Sequence, residues 1–287
     1  MSEIALAPMP GTDLWRGMDR AELDQAYDNS GAVSASADFL ADWSRRSAAL
    51  RARQPELVDL AYGSRQRNRI DIFRSGADDA PLLVFIHGGY WQRNSKEIFS
   101  CMAEGMLGAG VDVALPGYTL APEATLAQIT QEVAASLGWL RREGPSHGIG
   151  RSRLIVSGWS AGGHLAAGAM ALPEVDAGLA VSGIYDLEPI RRGVLNDKLG
   201  LTPEDVAGLS PILAIPETDK PLAVAWGTAE LPELQRQSRD YAAAWGLAGR
   251  TGQIVPVAGA NHFSILEDLA RPGGALARRV LALAEMS

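Results

Sequence analysis

The stretch LIVSGWSAGGHLAAGAMAL, Leu154 to Leu172, decides the architecture. Its first third is an apolar run of the length of a buried strand, and its second half is rich in small helix-compatible residues. Between them stands Gly158-Trp159-Ser160-Ala161-Gly162. A strand that passes straight into a helix leaves a turn so tight that the positions flanking the serine tolerate little side chain, hence the glycines. The turn holds the Ser160 hydroxyl out at the top of the sheet, at a helix N-terminus. A bare G-x-S-x-G arises often by chance, but the strand before it and the helix after it make Ser160 the candidate nucleophile. The bland alternative is a glycine-rich βα turn. The segment carries no formal charge and is long enough to suggest a membrane span, but Ser157, Ser160, His164 and the glycines argue against one.

Upstream, LLVFIHGGYWQ (Leu82 to Gln92) reads as a buried strand ending in His87-Gly88-Gly89-Tyr90-Trp91. Glycines there let main-chain N–H groups of Gly88, Gly89 and Tyr90 point into a site. With the N–H of Ala161 they are expected to receive the oxyanion of a tetrahedral intermediate. His87 is expected to hold the loop rather than transfer protons. Downstream, Gly259-Ala260-Asn261-His262-Phe263 follows the last strand. In the chain order serine, acid, histidine, the base comes from a late loop, which selects His262. His164 reads as a core residue on the helix leaving the turn, and His147 as a solvated loop residue. The acid should follow the strand LAVAWG. Glu230 comes directly after the Gly227-Thr228-Ala229 turn and is preferred over Glu233; Asp219 lies before the strand and Asp240 well into the next helix.

Further out, β-rich runs at Leu57–Tyr62, Arg69–Phe73, Leu82–His87, Val111–Leu115, Leu154–Gly158, Leu179–Ser182, Leu222–Gly227 and Gln253–Val257 alternate, in the later part, with helical stretches at Lys96–Leu107, Thr125–Arg142, Gly163–Ala171 and Pro232–Trp245. Two further helices open the chain, at about Arg20–Asp28 and Ser36–Arg53. The pattern predicts an α/β fold: an opening β-meander, then βα alternation, giving a mostly parallel central sheet of about eight strands with helices on both faces. Chemistry in such sheets gathers at the strand C-termini. No linker divides the 287 residues, so a single domain over 1–287 with an N-terminal helical extension at about 1–55 is expected.

Composition narrows the function. With 47% apolar residues the chain can bury a large core, which excludes a disordered or fibrous class. A net charge of −8, from 26 basic and 34 acidic residues without a continuous basic stripe, disfavours nucleic acid and favours a small-molecule partner. Cys101 is the only cysteine, so no internal disulfide forms. MSEIALAPMPGTD lacks a basic n-region and is broken by Pro8 and Pro10, so it reads as no signal peptide. A cytoplasmic protein without membrane partner is expected, its oligomeric state left open with a homodimer among the options. The four histidines lie far apart and share no ligand-type spacing with an acid, so neither metal nor cofactor is expected.

With these residues in hand, the chain resembles the arylformamidase (kynurenine formamidase) family of α/β-hydrolases, near the hormone-sensitive-lipase-like esterases. The resemblance runs through Trp15, Met18, Glu22-Leu23 and Tyr27, HGGYWQ at His87–Gln92, Tyr118 to Pro122, SAGGHL from Ser160, SGIYDLEPI from Ser182, PELQRQS from Pro232, and Asn261-His262-Phe263. The turn is common to all α/β-hydrolases, whereas HGGYW with SGIYDLEPI and PELQRQS is specific to the formamidase-like group. It implies the α/β-hydrolase fold, the triad Ser160, His262 and Glu230, and hydrolysis of an N-formyl aryl amide such as N-formylkynurenine to the amine and formate. Two departures stand out: Trp159 where the family has histidine, and Glu230 where it has aspartate. Tyr90, Trp91 and Trp159 are expected to crowd the acyl side, Tyr185 and the segment after Trp91 that includes Arg93 and Asn94 to line the leaving-group side, and Arg93 to meet a carboxylate. A short-chain carboxylesterase, an amidase or imide hydrolase for another aromatic catabolite, and a non-catalytic binding module are the competing readings.

Overall fold

A computed structural model describes residues 15–150 and 152–286. The opening segment read as lacking a signal peptide, and the first part of the helical extension, lie outside these residues. Eight strands form one sheet: β1 (Leu60–Ala61), β2 (Arg69–Phe73), β3 (Leu82–Ile86), β4 (Asp112–Pro116), β5 (Leu154–Trp159), β6 (Ala177–Val181), β7 (Leu222–Gly227) and β8 (Gly252–Val257). Their order is β1-β2-β4-β3-β5-β6-β7-β8. From β4 to β8 every pairing is parallel, while β1 with β2 and β2 with β4 are antiparallel. The apolar runs are read correctly because β3, β5, β6 and β7 are buried along their whole length, as strands covered on both faces must be.

Three details differ from the sequence reading. The opening is not a meander, because β4 inserts between β2 and β3, so β2 and β3 are not neighbours. The expected helix Lys96–Leu107 is broken into α-helical Lys96–Phe99, a 3-10 turn at Ser100–Ala103 and α-helical Glu104–Leu107. The break has a cause: the Cys101 N–H is drawn out of the helical ladder by Ser47 Oγ, 2.9 Å away on α3 (Ser36–Arg53). A C-terminal helix, Ala275–Glu285, stands beyond the elements that the sequence pattern predicts.

Helices cover both faces. On one, α3, the segment around Phe99 and the helix Ala275–Glu285 bury Trp43, Phe99, Met102 and Leu276 against Phe85, Ile155 and Leu179. On the other, Leu126–Glu143, Ala161–Ala169 and Pro232–Leu247 pack Ile129, Leu165 and Leu234 on Val84, Val156 and Val224. α1 (Arg20–Ala26) and α2 (Asn29–Ala32) close over the C-terminal edge of the sheet, α1 opening with a capping box between Asp19 and Glu22. Strand register then brings distant loops together. Ile86 pairs with Gly158, Trp159 with Val181, and Gly227 with Val257, so the segments after β3, β5, β6, β7 and β8 all leave one edge side by side. Among the described residues no helix is long and apolar enough to cross a membrane.

Candidate active site

Ser160 stands at φ 57, ψ −118, between the last residue of β5 and the first of the helix Ala161–Ala169. That backbone is costly for a residue with a side chain and survives only where its surroundings impose it. Here they do: a Cβ on Gly158 would lie 2.1 Å from the Gly162 carbonyl oxygen, and one on Gly162 would lie 2.0 Å from that of Ile86. The crossing of β5, the helix and β3 therefore requires glycine at both places, and it presents Ser160 at the sheet edge.

The loop after β3 runs alongside. A Cβ on Gly88 would come within 3.0 Å of Ser160 Cβ, so the two segments touch. The N–H groups of Gly88, Gly89, Tyr90 and Ala161 donate to no acceptor among the described residues. Main-chain donors without internal partners thus lie beside the serine, at Ala161 next to it in the chain and at Gly88 against it, with those of Gly89 and Tyr90 following in the same turn. Tyr90 and Trp91 sit at φ 52 and 56, further strained residues in the same turn.

His262 and Glu230 form a buried pair. The Glu230 Oε2 atom lies 2.8 Å from His262 Nδ1, and Glu230 Oε1 accepts from Ser182 Oγ at 2.6 Å and from the Gly227 N–H at 2.5 Å. Three contacts on two oxygens fix the carboxylate in orientation. Glu233 is engaged elsewhere, with both oxygens on Arg236 and one on Tyr27 Oη. Asp240 also pairs with Arg236. Trp159 Nε1 donates to the His262 main-chain oxygen at 2.7 Å, and the indole lies against the imidazole with ring centroids 4.8 Å apart. No hydrogen bond joins Ser160 Oγ to His262 among the described residues. Contacts of this kind often tighten only once substrate is bound.

The other histidines are otherwise employed. His87 is buried, donates through Nδ1 to the Gly88 carbonyl at 2.9 Å and stacks on Tyr118. Burial lowers its pKa to about 4, so it is neutral. His164 contacts the Leu209 carbonyl through Nε2 at 2.8 Å, and burial again holds it at about 4. His147 is half-buried against Trp139 rather than simply solvated.

The rings expected to line the substrate space are packed inward instead. Trp91 and Tyr185 are fully buried, Trp91 edge-on to His164 and Tyr185 stacked on Tyr241. Trp159 shares its face of the sheet with Ile155 and is locked among Trp43, Phe99 and Phe263. They shape the site from behind rather than forming open walls. Tyr90 also points away from the serine: its hydroxyl donates to the Tyr27 carbonyl at 2.5 Å and accepts from Asn29 Nδ2 at 2.8 Å. Arg93 is exposed, and it lines a cavity of about 280 Å³ together with Tyr90, Asn29, Asp28 and Leu195. Sequence reasoning assigns no site role to Ser182, Tyr27 or Asn29, although Tyr27 and Ser182 lie in stretches that carry the family resemblance. Only Ser182, placed directly after a strand at the same sheet edge, carried a signal that could have been read. Among the described residues no group of histidine, cysteine and acidic side chains could hold a metal.

A mostly parallel sheet with this order, a serine on a strained strand-to-helix turn, and a buried Glu–His pair at the same edge define an α/β-hydrolase. An esterase of Thermogutta terrifontis with bound propionate shares the fold, with a TM-score of 0.65 and 22% identity over 80% of this chain and 95% of that one. A protein of Silicibacter sp. TM1040, provisionally described as a thioesterase, superposes with a TM-score of 0.82 and 29% identity over 90% of this chain and 98% of its own. The BD-FAE family model matches residues 70–179. The kynurenine formamidase of Danio rerio is 31% identical over 89% of this chain and 93% of its own length. The chain belongs to the kynurenine formamidase family.

Proposed function

We propose that this hydrolase cleaves an N-formyl aryl amide, with N-formylkynurenine the leading substrate, through Ser160, His262 and Glu230. The observation that carries the triad is the Glu230–His262 pair, held at 2.8 Å beside the Ser160 turn and its four unpartnered amides. Family membership supports the substrate class. His262, held by Glu230 through Nδ1, takes the Ser160 proton on Nε2 as Oγ attacks the formyl carbonyl. The oxyanion is received by the N–H groups of Gly88, Gly89, Tyr90 and Ala161. Protonated His262 then gives its proton to the departing aryl nitrogen, and the amine leaves. Water, deprotonated by the same imidazole, attacks the formyl-serine and releases formate. The steps call on nothing beyond these groups and water.

The space beside the nucleophile favours a small acyl group. Ser160 is only 2% exposed and the Gly88 backbone presses against it. A formyl group needs no acyl pocket, and an aryl amine, being weakly basic, leaves readily. The test is a panel of formyl, acetyl, butyryl and octanoyl derivatives of one aryl amine, with matching p-nitrophenyl esters, run on the protein and on Ser160→Ala. Formanilides should be hydrolysed, kcat/KM should fall steeply with acyl length, and the variant should be inactive while folded. A rise toward butyryl or octanoyl with formanilides untouched would make the protein a carboxylesterase. Turnover in Ser160→Ala close to the unsubstituted protein would remove the nucleophile.

A further inference from the structure

The amides of Gly89 and Tyr90 belong to two successive peptides, and each peptide is held from its far side. A trans peptide is planar, with C=O and N–H directed oppositely, so fixing one residue's carbonyl aims the next residue's amide. The Gly89 carbonyl accepts from the N–H groups of Gln92 at 3.0 Å and Arg93 at 2.9 Å, within the turn itself. The Gly88 carbonyl depends on side chains: His87 Nδ1 at 2.9 Å and Asn94 Nδ2 at 3.3 Å. The Asn94 amide lies directly under Gly89, 2.9 Å from where a Cβ would stand, while Gly89 itself adopts φ 120.

Asn94 is braced in turn. Its backbone is at φ 71, a region asparagine tolerates better than most residues. Its carbonyl accepts from Arg67 Nη2 at 2.5 Å, and Arg67 Nε donates to the Tyr118 carbonyl at 2.9 Å. The Tyr118 hydroxyl donates to the His87 carbonyl at 2.9 Å, and its ring stacks on His87 at 4.3 Å. Arg67 forms no ion pair among the described residues. Its half-buried guanidinium is engaged by two main-chain carbonyls, one at the base of each arm that grips Gly88. A cation that forgoes a carboxylate to tie two loop carbonyls together serves geometry.

We propose that Asn94, braced by Arg67, is a positioning residue that aims the Gly89 N–H at the developing oxyanion. This rests on the reading of Ser160 and the four amides as the reacting centre. An amide aimed at where charge develops stabilises the transition state more than bound substrate. Loss of Asn94 should therefore lower kcat and leave KM nearly unchanged.

The experiment uses Asn94→Asp, which keeps shape and backbone preference but offers no donor, and Asn94→Gly, which accepts φ 71 without strain and removes the side chain. Each is assayed on a formanilide or p-nitrophenyl ester that the unsubstituted protein turns over, and by inhibition with an aryl boronic acid, whose serine adduct places an oxygen where the oxyanion forms. Removing an oxyanion donor outright costs about 10²–10³ in kcat, so misaiming one should cost about ten- to a hundredfold, with KM within about threefold and boronate affinity falling by the same factor as kcat. Arg67→Met should act in the same direction, and combined with Asn94→Gly it should add less than its separate effect, because both lie on one chain of contacts. If both Asn94 variants keep kcat and boronate affinity within about twofold, or lose both only alongside a collapse in thermal midpoint, the proposal is overturned. If the unsubstituted protein ignores the boronate and Ser160→Ala keeps turnover, the reacting centre is misplaced and both readings fall together.

Discussion

Replacing Glu230 by glutamine isolates what the buried carboxylate does for His262. The two are isosteric, and the surroundings dictate how the amide must sit. Oε1 of Glu230 accepts from the Ser182 hydroxyl and the Gly227 N–H. A glutamine that turned its NH₂ toward those donors would leave two buried hydrogen bonds unmade, at about 1–3 kcal/mol each. The amide oxygen therefore stays in place and the NH₂ faces His262 Nδ1, where the carboxylate oxygen stood at 2.8 Å. Two donors cannot share that contact, so the imidazole must carry its proton on Nε2 and present a lone pair at Nδ1. In that tautomer the nitrogen toward Ser160 is already protonated and cannot act as base. The imidazolium formed during attack also loses its counter-charge. The expected loss in kcat is about 10⁴-fold, or about 5.5 kcal/mol of transition-state stabilisation, with KM within a few-fold and the fold intact. Steady-state kinetics on a formanilide, with a thermal melt as control, measures it. A fall of less than about tenfold in a folded Glu230→Gln variant would refute the assignment of Glu230, since no base could work from the wrong tautomer at such speed. Glu230→Asp supplies the graded case. Its carboxylate falls short by about 1.5 Å and must release either His262 or its two anchors, so an intermediate loss of about a hundredfold is expected.

Two further outcomes follow from the other histidines. His262→Ala should abolish turnover, whereas His164→Gln, one helical turn beyond Ser160 and turned toward Leu209, should keep kcat within about tenfold; the reverse ranking in kinetic assays would exchange their roles. His87 and His164 are both lowered to about 4 by burial, against an ordinary value near 6.5. A lowered histidine contributes its full stability above the unfolded value and loses it as pH falls from there toward 4, because the unfolded chain takes up the proton first. Urea unfolding should therefore show stability dropping by about 1.4 kcal/mol per pH unit for each histidine below pH 6, and by less in His164→Gln; a flat profile from pH 7 to 5 would contradict neutral burial.

The parts of this molecule that were legible in the sequence are those fixed by short-range constraint. Gly158 is demanded by Gly162 within the same nineteen-residue stretch from Leu154 to Leu172, so the turn was readable locally, although Gly162 itself answers to Ile86 on β3. His262 and Glu230 were readable because strand alternation and chain order place the loops after β7 and β8 at one edge, and Gly227 pairing with Val257 is that inference in coordinates. The contacts that hold the site from behind were hidden for the opposite reason. Ser182 to Glu230 spans 48 residues, Asn29 to Tyr90 spans 61, and Arg67 to Asn94 spans 27. Nothing local distinguishes these polar side chains from solvated ones.

Trp159 is the instructive miss, because its position was available. Side chains alternate along a strand, so Trp159 must share a face with Ser157 and Ile155, the face that α3 and the C-terminal helix cover. The helix leaving the turn packs on the other face with Val156 and Leu165. An indole next to Ser160 in sequence is thereby directed beneath His262 in space, where it holds the His262 carbonyl and lies against the imidazole. In the proposed reaction its effect would run through where His262 sits, and only the backbone of its neighbours would bound the acyl space. On the function proposed above, the closeness of Gly88 to Ser160 would then set the acyl size. Shortening the indole would loosen the histidine without opening room for a longer acyl chain.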